Sequence, residues 1–265
     1  MEKGSGVGIA LVIVGTFVGA VMKGVSPAVL FSVPAAFLIV LVSSFGATFL
    51  SFSGDEMKNF PKYMKLAFLP GPPPEPGKVI GQIVEFADRA RREGLLALED
   101  AINQTEEPFL RKGLQMAVDG AESEVVRDTL DTEVHAMKER HKLGSQFITQ
   151  IGIYAPTFGI VGAVFGLIAT MAHLDDPEAI GHGIAAAFVA TFWGVFSANG
   201  IFLPMGRKLQ RLSQMEADYK QLIIEGVLSI QAGSSPRVVD DLLQSFLPPA
   251  TRLQLKGERD ERQTA

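Results

Sequence analysis

Charged residues along this chain fall in blocks, separated by four runs that contain no Asp, Glu, Lys or Arg: Gly4–Met22, Gly24–Gly54, Leu143–Leu174 and Ala179–Gly206. A helix rises about 1.5 Å per residue, so about 20 apolar residues cross the hydrocarbon layer of a bilayer. All four runs reach that length, the first only just. The pattern predicts membrane-spanning helices near Val7–Met22, Leu30–Ser51, Gln146–Ala172 and Ile184–Pro204. A cleavable signal peptide is the competing reading of the first run. Lys3 suits it, but no convincing small-residue cleavage site follows and a second apolar run comes at once.

The remaining segments are periodic and polar. Phe60, Tyr63, Met64 and Phe68 recur at helical spacing among lysines, as in a short helix lying at a lipid surface. The stretch Pro70-Gly71-Pro72-Pro73-Pro74-Glu75-Pro76-Gly77 cannot be helix and reads as a stiff extended connector. Helical patterns follow over Val79–Gln104, Pro108–Gly120 and Ser123–Lys142, the last continuing without a breaker towards the third span. The tail from Met205 reads as helix to Gln231, breaks at Gly233-Ser234-Ser235-Pro236, forms a short helix to Phe246 and frays after Pro248-Pro249. No segment alternates Val, Ile and Thr, so the fold class is all-α: a polytopic membrane protein with four spans and a helical cytoplasmic portion. The expected domains are 1–51 and 146–206 in the membrane, 52–145 as a cytoplasmic loop domain and 207–265 as a cytoplasmic tail.

Direction follows from Lys and Arg near the span ends. The hairpin after Lys23 holds one lysine, and that from His173 to Gly183 holds only Asp175, Asp176 and Glu178. Lys58, Lys62 and Lys65 follow the second span, Lys138, Arg140 and Lys142 precede the third, and Arg207, Lys208 and Arg211 follow the fourth. Both hairpins are expected to face outward, with both termini and the large loop on the cytoplasmic side of the inner membrane.

Composition narrows the chemistry. Hydrophobic residues are 47% and charged residues 20% of the 265, with mean hydropathy +0.24, which excludes a disordered chain. The net charge of −5 offers no basic excess for nucleic acid. With no cysteine, disulfide, iron–sulfur and thiolate zinc sites are excluded. His173 and His182 sit at the outer hairpin and read as wet loop histidines rather than metal ligands. No catalytic constellation is present, and no cofactor is implied.

None of the four spans carries an ionisable acid or base. Ion pathways through membranes are normally marked by such groups, so a conducting chain of this kind must borrow its carboxylate from another subunit. The third and fourth spans are rich in small residues instead. Gly159, Gly162 and Gly166 lie close together on one, and Gly183, Ala187, Ala190, Gly194 and Ala198 form a stripe on the other. Small stripes allow close helix approach. They pack either the two helices together or each against a neighbouring subunit or partner helix. Thr191 lies beside the stripe, its hydroxyl facing an ion or bonding back to its own helix. Pro156 and Pro204 stand at the cytoplasmic ends of the spans, where each frees backbone carbonyls or acts as a hinge.

Several stretches, taken in order, resemble the MotA/PomA family of flagellar stator subunits, relatives of TolQ and ExbB. They are Arg91-Arg92-Glu93-Gly94-Leu95-Leu96-Ala97-Leu98-Glu99, Phe109-Leu110-Arg111-Lys112-Gly113-Leu114, Ala155-Pro156-Thr157-Phe158-Gly159-Ile160-Val161-Gly162 and Thr191-Phe192-Trp193-Gly194. The likeness covers nearly the whole chain, and four spans rather than three favour the stator branch. It implies a homo-pentamer around a dimer of a single-span MotB/PomB-type partner that supplies the ion-binding aspartate. It also implies a cytoplasmic loop that passes torque to the rotor protein FliG.

On this resemblance the rotor-facing charges are Arg91 and Glu99, with Arg89, Arg92 and Asp100 as weaker candidates. Eight residues at about 100° each place Arg91 and Glu99 about 80° apart on one side of a helix, with Leu95, Leu96 and Leu98 anchoring it. The ion pathway is expected at Thr191, Ala163, Gly159 and Thr157, with Pro156 and Pro204 as coupling prolines. Sodium-type members tend to carry threonine where this chain has Ala163, so the expected ion is the proton. A sodium-driven PomA-type stator, a TolQ/ExbB-like channel energising an envelope protein, and a non-conducting scaffold are the alternatives.

Overall fold

The structure is a computed structural model that describes residues 3–71 and 74–254. Every regular element among them is a helix. In chain order they are α1 (Lys3–Met22), α2 (Pro27–Phe31), α3 (Pro34–Leu50), α4 (Gly54–Met57), α5 (Phe60–Phe68), α6 (Pro76–Glu93), α7 (Glu99–Asn103), α8 (Pro108–Val118), α9 (Ser123–Met171), α10 (Pro177–Gln231) and α11 (Pro236–Gln244). Proline opens α2, α3, α6, α8, α10 and α11, where its missing N–H has no partner to lose and its fixed φ suits the first turn. Side-chain caps reinforce the starts. Asp176 accepts from the N–H groups of Glu178 and Ala179 at 3.0 and 3.2 Å, and Ser53 forms a reciprocal capping box with Glu56.

α9 and α10 are long and apolar enough to cross a membrane, and Gly6–Met22 and Pro34–Leu50 are shorter apolar helices. The expected second span, Leu30–Ser51, is corrected: the chain breaks at Ser32–Val33 between α2 and α3. Pro34 is the cause. It pushes the preceding Val33 out of the helical region, to φ −113° and ψ 81°. It also withholds the N–H that a continuing helix would offer to the carbonyl of Leu30. The Trp193 indole on α10 takes that role, donating to Leu30 O at 2.7 Å in a buried setting. Phe31 and Phe37 pack on the same indole, with ring centroids 5.2 and 4.6 Å away.

The chain divides into two compact units. The first comprises the residues up to Gly71 together with Arg140–Leu212. In it α9 and α10 touch along the small-residue stripe. A methyl group at Gly194 would lie 2.8 Å from Ala155 O and 3.0 Å from Gly159 Cα, and one at Gly166 would lie 2.8 Å from Gly183 O. Such contacts are backbone against backbone, so the packing reading of the stripe accounts for it within one chain. α5 is the predicted short helix, but its apolar side packs on protein. Phe60 lies 5.0 Å from Phe147, and Tyr63, Met64 and Phe68 join the same core around Phe147, Ile148 and Ile151.

The second unit gathers the remaining residues up to Glu139 with those from Ser213. Loop and tail, expected as separate domains bounded at 52, 145 and 207, share one core here: Ile80, Ile83, Leu98, Leu110, Leu114, Leu130, Ile223, Val227, Val239 and Leu243. Arg127 on α9 grips Glu225 on α10 through both guanidinium nitrogens at 2.7 and 3.2 Å. Of the proline connector, Pro72 and Pro73 lie outside the described residues, and the flanking residues are non-helical up to Pro76. Beyond Pro248, expected to fray, residues 249–254 are helical.

Two substitutions test this packing. Trp193→Phe keeps the aromatic bulk but orphans the Leu30 carbonyl, and is expected to lower the stability of the detergent-solubilised protein by about 1–3 kcal/mol. Gly194→Ala must push the facing backbones of α9 and α10 apart and is expected to cost about 1–3 kcal/mol, whereas Gly181→Ala, with open space around it, is neutral. Thermal unfolding of the three purified variants measures both effects.

Candidate functional site

Because the small residues of α9 are turned onto α10, a different face of α9 is left uncovered. Gln146, Ile153, Thr157, Ile160, Val164, Leu167, Ile168 and Met171 are exposed, with Gln150 half-buried among them, at steps of three and four residues along one stripe. Its composition changes along its length. The half towards Gln146 carries Gln146, Gln150 and Thr157, whereas the half from Ile160 onward is wholly apolar. The Thr157 hydroxyl has no partner among the described residues.

Gln146 and Gln150 open onto a crevice of about 520 Å³ whose other walls include Ser51, Glu56, Thr149 and Gln210. Glu56 is the one carboxylate among these. Its hydrogen bonds from the backbone and side chain of Ser53 hold its pKa below the usual value. The crevice therefore offers amide, hydroxyl and carboxylate oxygens at one end of the charge-free spans. Sequence reasoning misses Gln146, Gln150 and Gln210, because an amide is not ionisable and does not mark an ion pathway. A signal does exist for the first two, which stand at helical spacing from each other and from Thr157 on α9.

The predicted pathway residues are placed as follows. Gly159 is buried against α10, near Ala190 O, Gly194 Cα and Thr191 Cα, so it sets the helix spacing and lines no open face. Thr191 is half-buried and its hydroxyl donates to Ala187 O at 3.1 Å, the second of the two roles expected for it. Ala163 is half-buried beside the buried Gly162, and Thr157 alone of the four is exposed. Pro156 sits inside α9 without ending it, and leaves Gly152 O without its helical donor. Pro204 follows a π-helical turn at Ala198–Phe202, in which Leu203 N–H bonds to Ala198 O. A second π turn occupies Leu38–Val42 of α3, and Val40 and Ala198 from the two turns meet Ala155 in one buried cluster. Among the described residues no group of three or more His, Asp and Glu is placed to hold a metal ion.

In the second unit the expected single helix over Val79–Gln104 is corrected. α6 ends at Glu93, Gly94 takes φ +85° and ψ 164°, and Leu95–Leu98 form a 3₁₀ turn before α7. A residue with a side chain is disfavoured at that φ, so the glycine forces the break. Arg91 and Glu99 consequently lie on different helices, and the angular relation expected for one continuous helix does not hold. The three leucines divide as well: Leu98 is fully buried, Leu95 packs on the core, and Leu96 is exposed.

The charges around this turn fall into two groups. Arg92 pairs with Asp88 at 2.8 Å and Arg89 with Glu93 at 3.5 Å, both along α6. Arg91, Glu99 and Asp100 are exposed and have no ion-pair partner among the described residues. Exposed pairs within one helix are worth only a few tenths of a kcal/mol, so Arg89 and Arg92 are held lightly.

Comparison with known proteins adds the following. The family described as the MotA/TolQ/ExbB proton channel family matches residues 101–221. Motility protein A of Bacillus subtilis is 42% identical over 263 residues, covering 99% of this chain and 97% of its own. The chemotaxis protein PomA of Vibrio alginolyticus is 40% identical over 179 residues, covering 67% of this chain and 70% of its own. The structure of the flagellar MotAB stator complex from Bacillus subtilis superposes with a TM-score of 0.88 at 42% identity, covering 95% of this chain and 99% of that chain.

Proposed function

The chain belongs to the MotA/TolQ/ExbB proton channel family, and on that premise we propose that it is the stator subunit of a flagellar motor. With a MotB-type partner it forms an ion channel and turns ion flow into torque on the rotor; it is a membrane protein and not an enzyme. The observation that carries this reading is the pairing of spans without any Asp, Glu, Lys, Arg or His with a polar half on the exposed stripe of α9. A channel wall of this kind has oxygens to pass a cation but no acid within the spans to bind it, and so needs the partner's aspartate.

We infer the finer points from the same features. Five copies surround two single-span partner helices in the inner membrane, with both termini in the cytoplasm. The stripe from Met171 to Gln146 faces the partner, Thr157 stands where the apolar half gives way to the polar half, and the glutamine-lined crevice receives the ion on its way to the cytoplasm. Pro156 and Pro204 leave carbonyls and π turns around Ala155, where the helices can shift by small steps. Ala163 supplies no hydroxyl and Thr191 commits its own to Ala187 O, which favours protons over sodium. An ion crossing about 150 mV yields roughly 3.5 kcal/mol for such a step. The free charges Arg91, Glu99 and Asp100 meet the rotor protein FliG, with Arg89 and Arg92 in secondary roles.

In cells lacking the native gene, this chain with its partner is expected to restore rotation, and at fixed pH and membrane potential the speed should not change when external sodium is removed. Rotation that tracks sodium would transfer the chain to the PomA type. Glu99→Lys is expected to stop tethered-cell rotation while the complex still assembles, with partial recovery when an opposing charge on the rotor is reversed. Glu99→Lys cells rotating like the wild type would remove the rotor assignment of this turn.

A further inference from the structure

The 3₁₀ turn between α6 and α7 has three residues per turn, so Leu95 and Leu98 eclipse one another and both point into the core. The same geometry turns Leu96 outward, where it is 73% exposed although a polar residue there would disturb nothing inside. Single exposed leucines are common on protein surfaces and need no explanation by themselves. This one stands on a fixed turn among charges. It is held up by a turn that Gly94 fixes, and Arg91, Glu99 and Asp100, all exposed and without intramolecular ion-pair partners among the described residues, stand on either side of it in the sequence. The neighbouring Arg89 and Arg92 are already engaged along their own helix.

An apolar knob with an incomplete rim of opposite charges is the arrangement of a protein-docking centre, in which a desolvated anchor supplies affinity and the rim supplies orientation. We propose that Leu96 is the apolar anchor of the rotor contact, seated in a shallow apolar depression on the partner. An anion on the partner faces Arg91 and a cation faces Glu99 and Asp100. The proposal rests on the stator reading given above and adds to it the chemistry of the surface recognised. Charges alone would give a contact that loosens steeply with ionic strength; an apolar centre keeps some of the affinity when the rim is screened. It also gives a contact that must release at every step a grip that does not depend on forming long-lived ion pairs.

The test uses the full stator complex in cells lacking the native gene, with Leu96→Ala, Leu96→Asn, Leu96→Met and, as a reference, Glu99→Lys. Stall torque and stator occupancy at the motor are read together with membrane abundance, thermal stability and ion conduction of the purified complex. Leu96→Ala and Leu96→Asn are expected to lower occupancy at the motor roughly five-fold or more, in line with loss of a binding anchor, with abundance, stability and conduction unchanged. Leu96→Met should retain most of the wild-type torque. Normal torque in Leu96→Asn cells, alongside a dead Glu99→Lys, would overturn the anchor and leave the rotor assignment standing. Loss of thermal stability in Leu96→Ala would overturn it too, by making the residue structural. If neither Leu96→Asn nor Glu99→Lys has an effect, the rotor assignment itself falls and the anchor with it.

Discussion

The contact on which the membrane unit depends is the close approach of α9 and α10 along glycine. Lipid tails are as apolar as side chains, so helices in a bilayer gain little from hydrophobicity and hold together by packing and by hydrogen bonds. Gly159, Gly166, Gly183 and Gly194 let the two backbones come within contact of each other's carbonyls. This choice has a consequence for function. With the small stripe committed to the helix pair, rotation of α9 about its axis is fixed, and the residues that remain outward are those of the Gln146–Met171 stripe.

Backbone satisfaction is the second constraint, and prolines set where it is hard to meet. In hydrocarbon an unpaired carbonyl costs several kcal/mol, so each proline within a span needs a remedy. At Pro34 the remedy is tertiary: the Trp193 N–H closes the gap at Leu30 and ties the second span to the fourth. Near Pro204 the helix itself adjusts, widening to a π turn at Ala198–Phe202. That turn and the one at Leu38–Val42 both border Ala155, beside Pro156 in the sequence, so the irregular backbone gathers next to the residues expected to couple ion passage to movement.

In the second unit the pairing of charges matters more than their number. Arg127 and Glu225 fasten α9 to α10, and Lys112 and Glu133 join α8 to α9 at 2.6 Å. The burial of the Tyr219 ring, with Glu107 beside its hydroxyl, holds that phenol well above its usual pKa, and the hydroxyl donates to Glu107, the N-cap of α8. Those groups are committed to the fold. At the glycine-initiated turn, by contrast, Arg91, Glu99 and Asp100 have no ion-pair partner among the described residues.

The sequence by itself determined the class of protein. Charge-free runs of bilayer length, the absence of any acid within them and the helical periodicity between them were enough for an all-helical membrane fold with no carboxylate in its spans. These are statements about composition and period, which a chain cannot hide. It also marked Arg91, Glu99 and the glycine stripe as the residues to watch. It misled where local and distant effects compete. Pro34 and Gly94 are visible in the sequence as breakers, yet a count of apolar residues runs through the first and a helical wheel through the second. Only the tertiary structure decided which partner each face meets: that Gly159 serves helix packing, that Thr191 bonds to its own helix, that three glutamines border one crevice, and that Leu96 points away from the core its neighbours enter. The reason is physical. A residue's type fixes what it can do, but whether it does so depends on what lies within a few ångströms, and that is set by chain segments far away in the sequence.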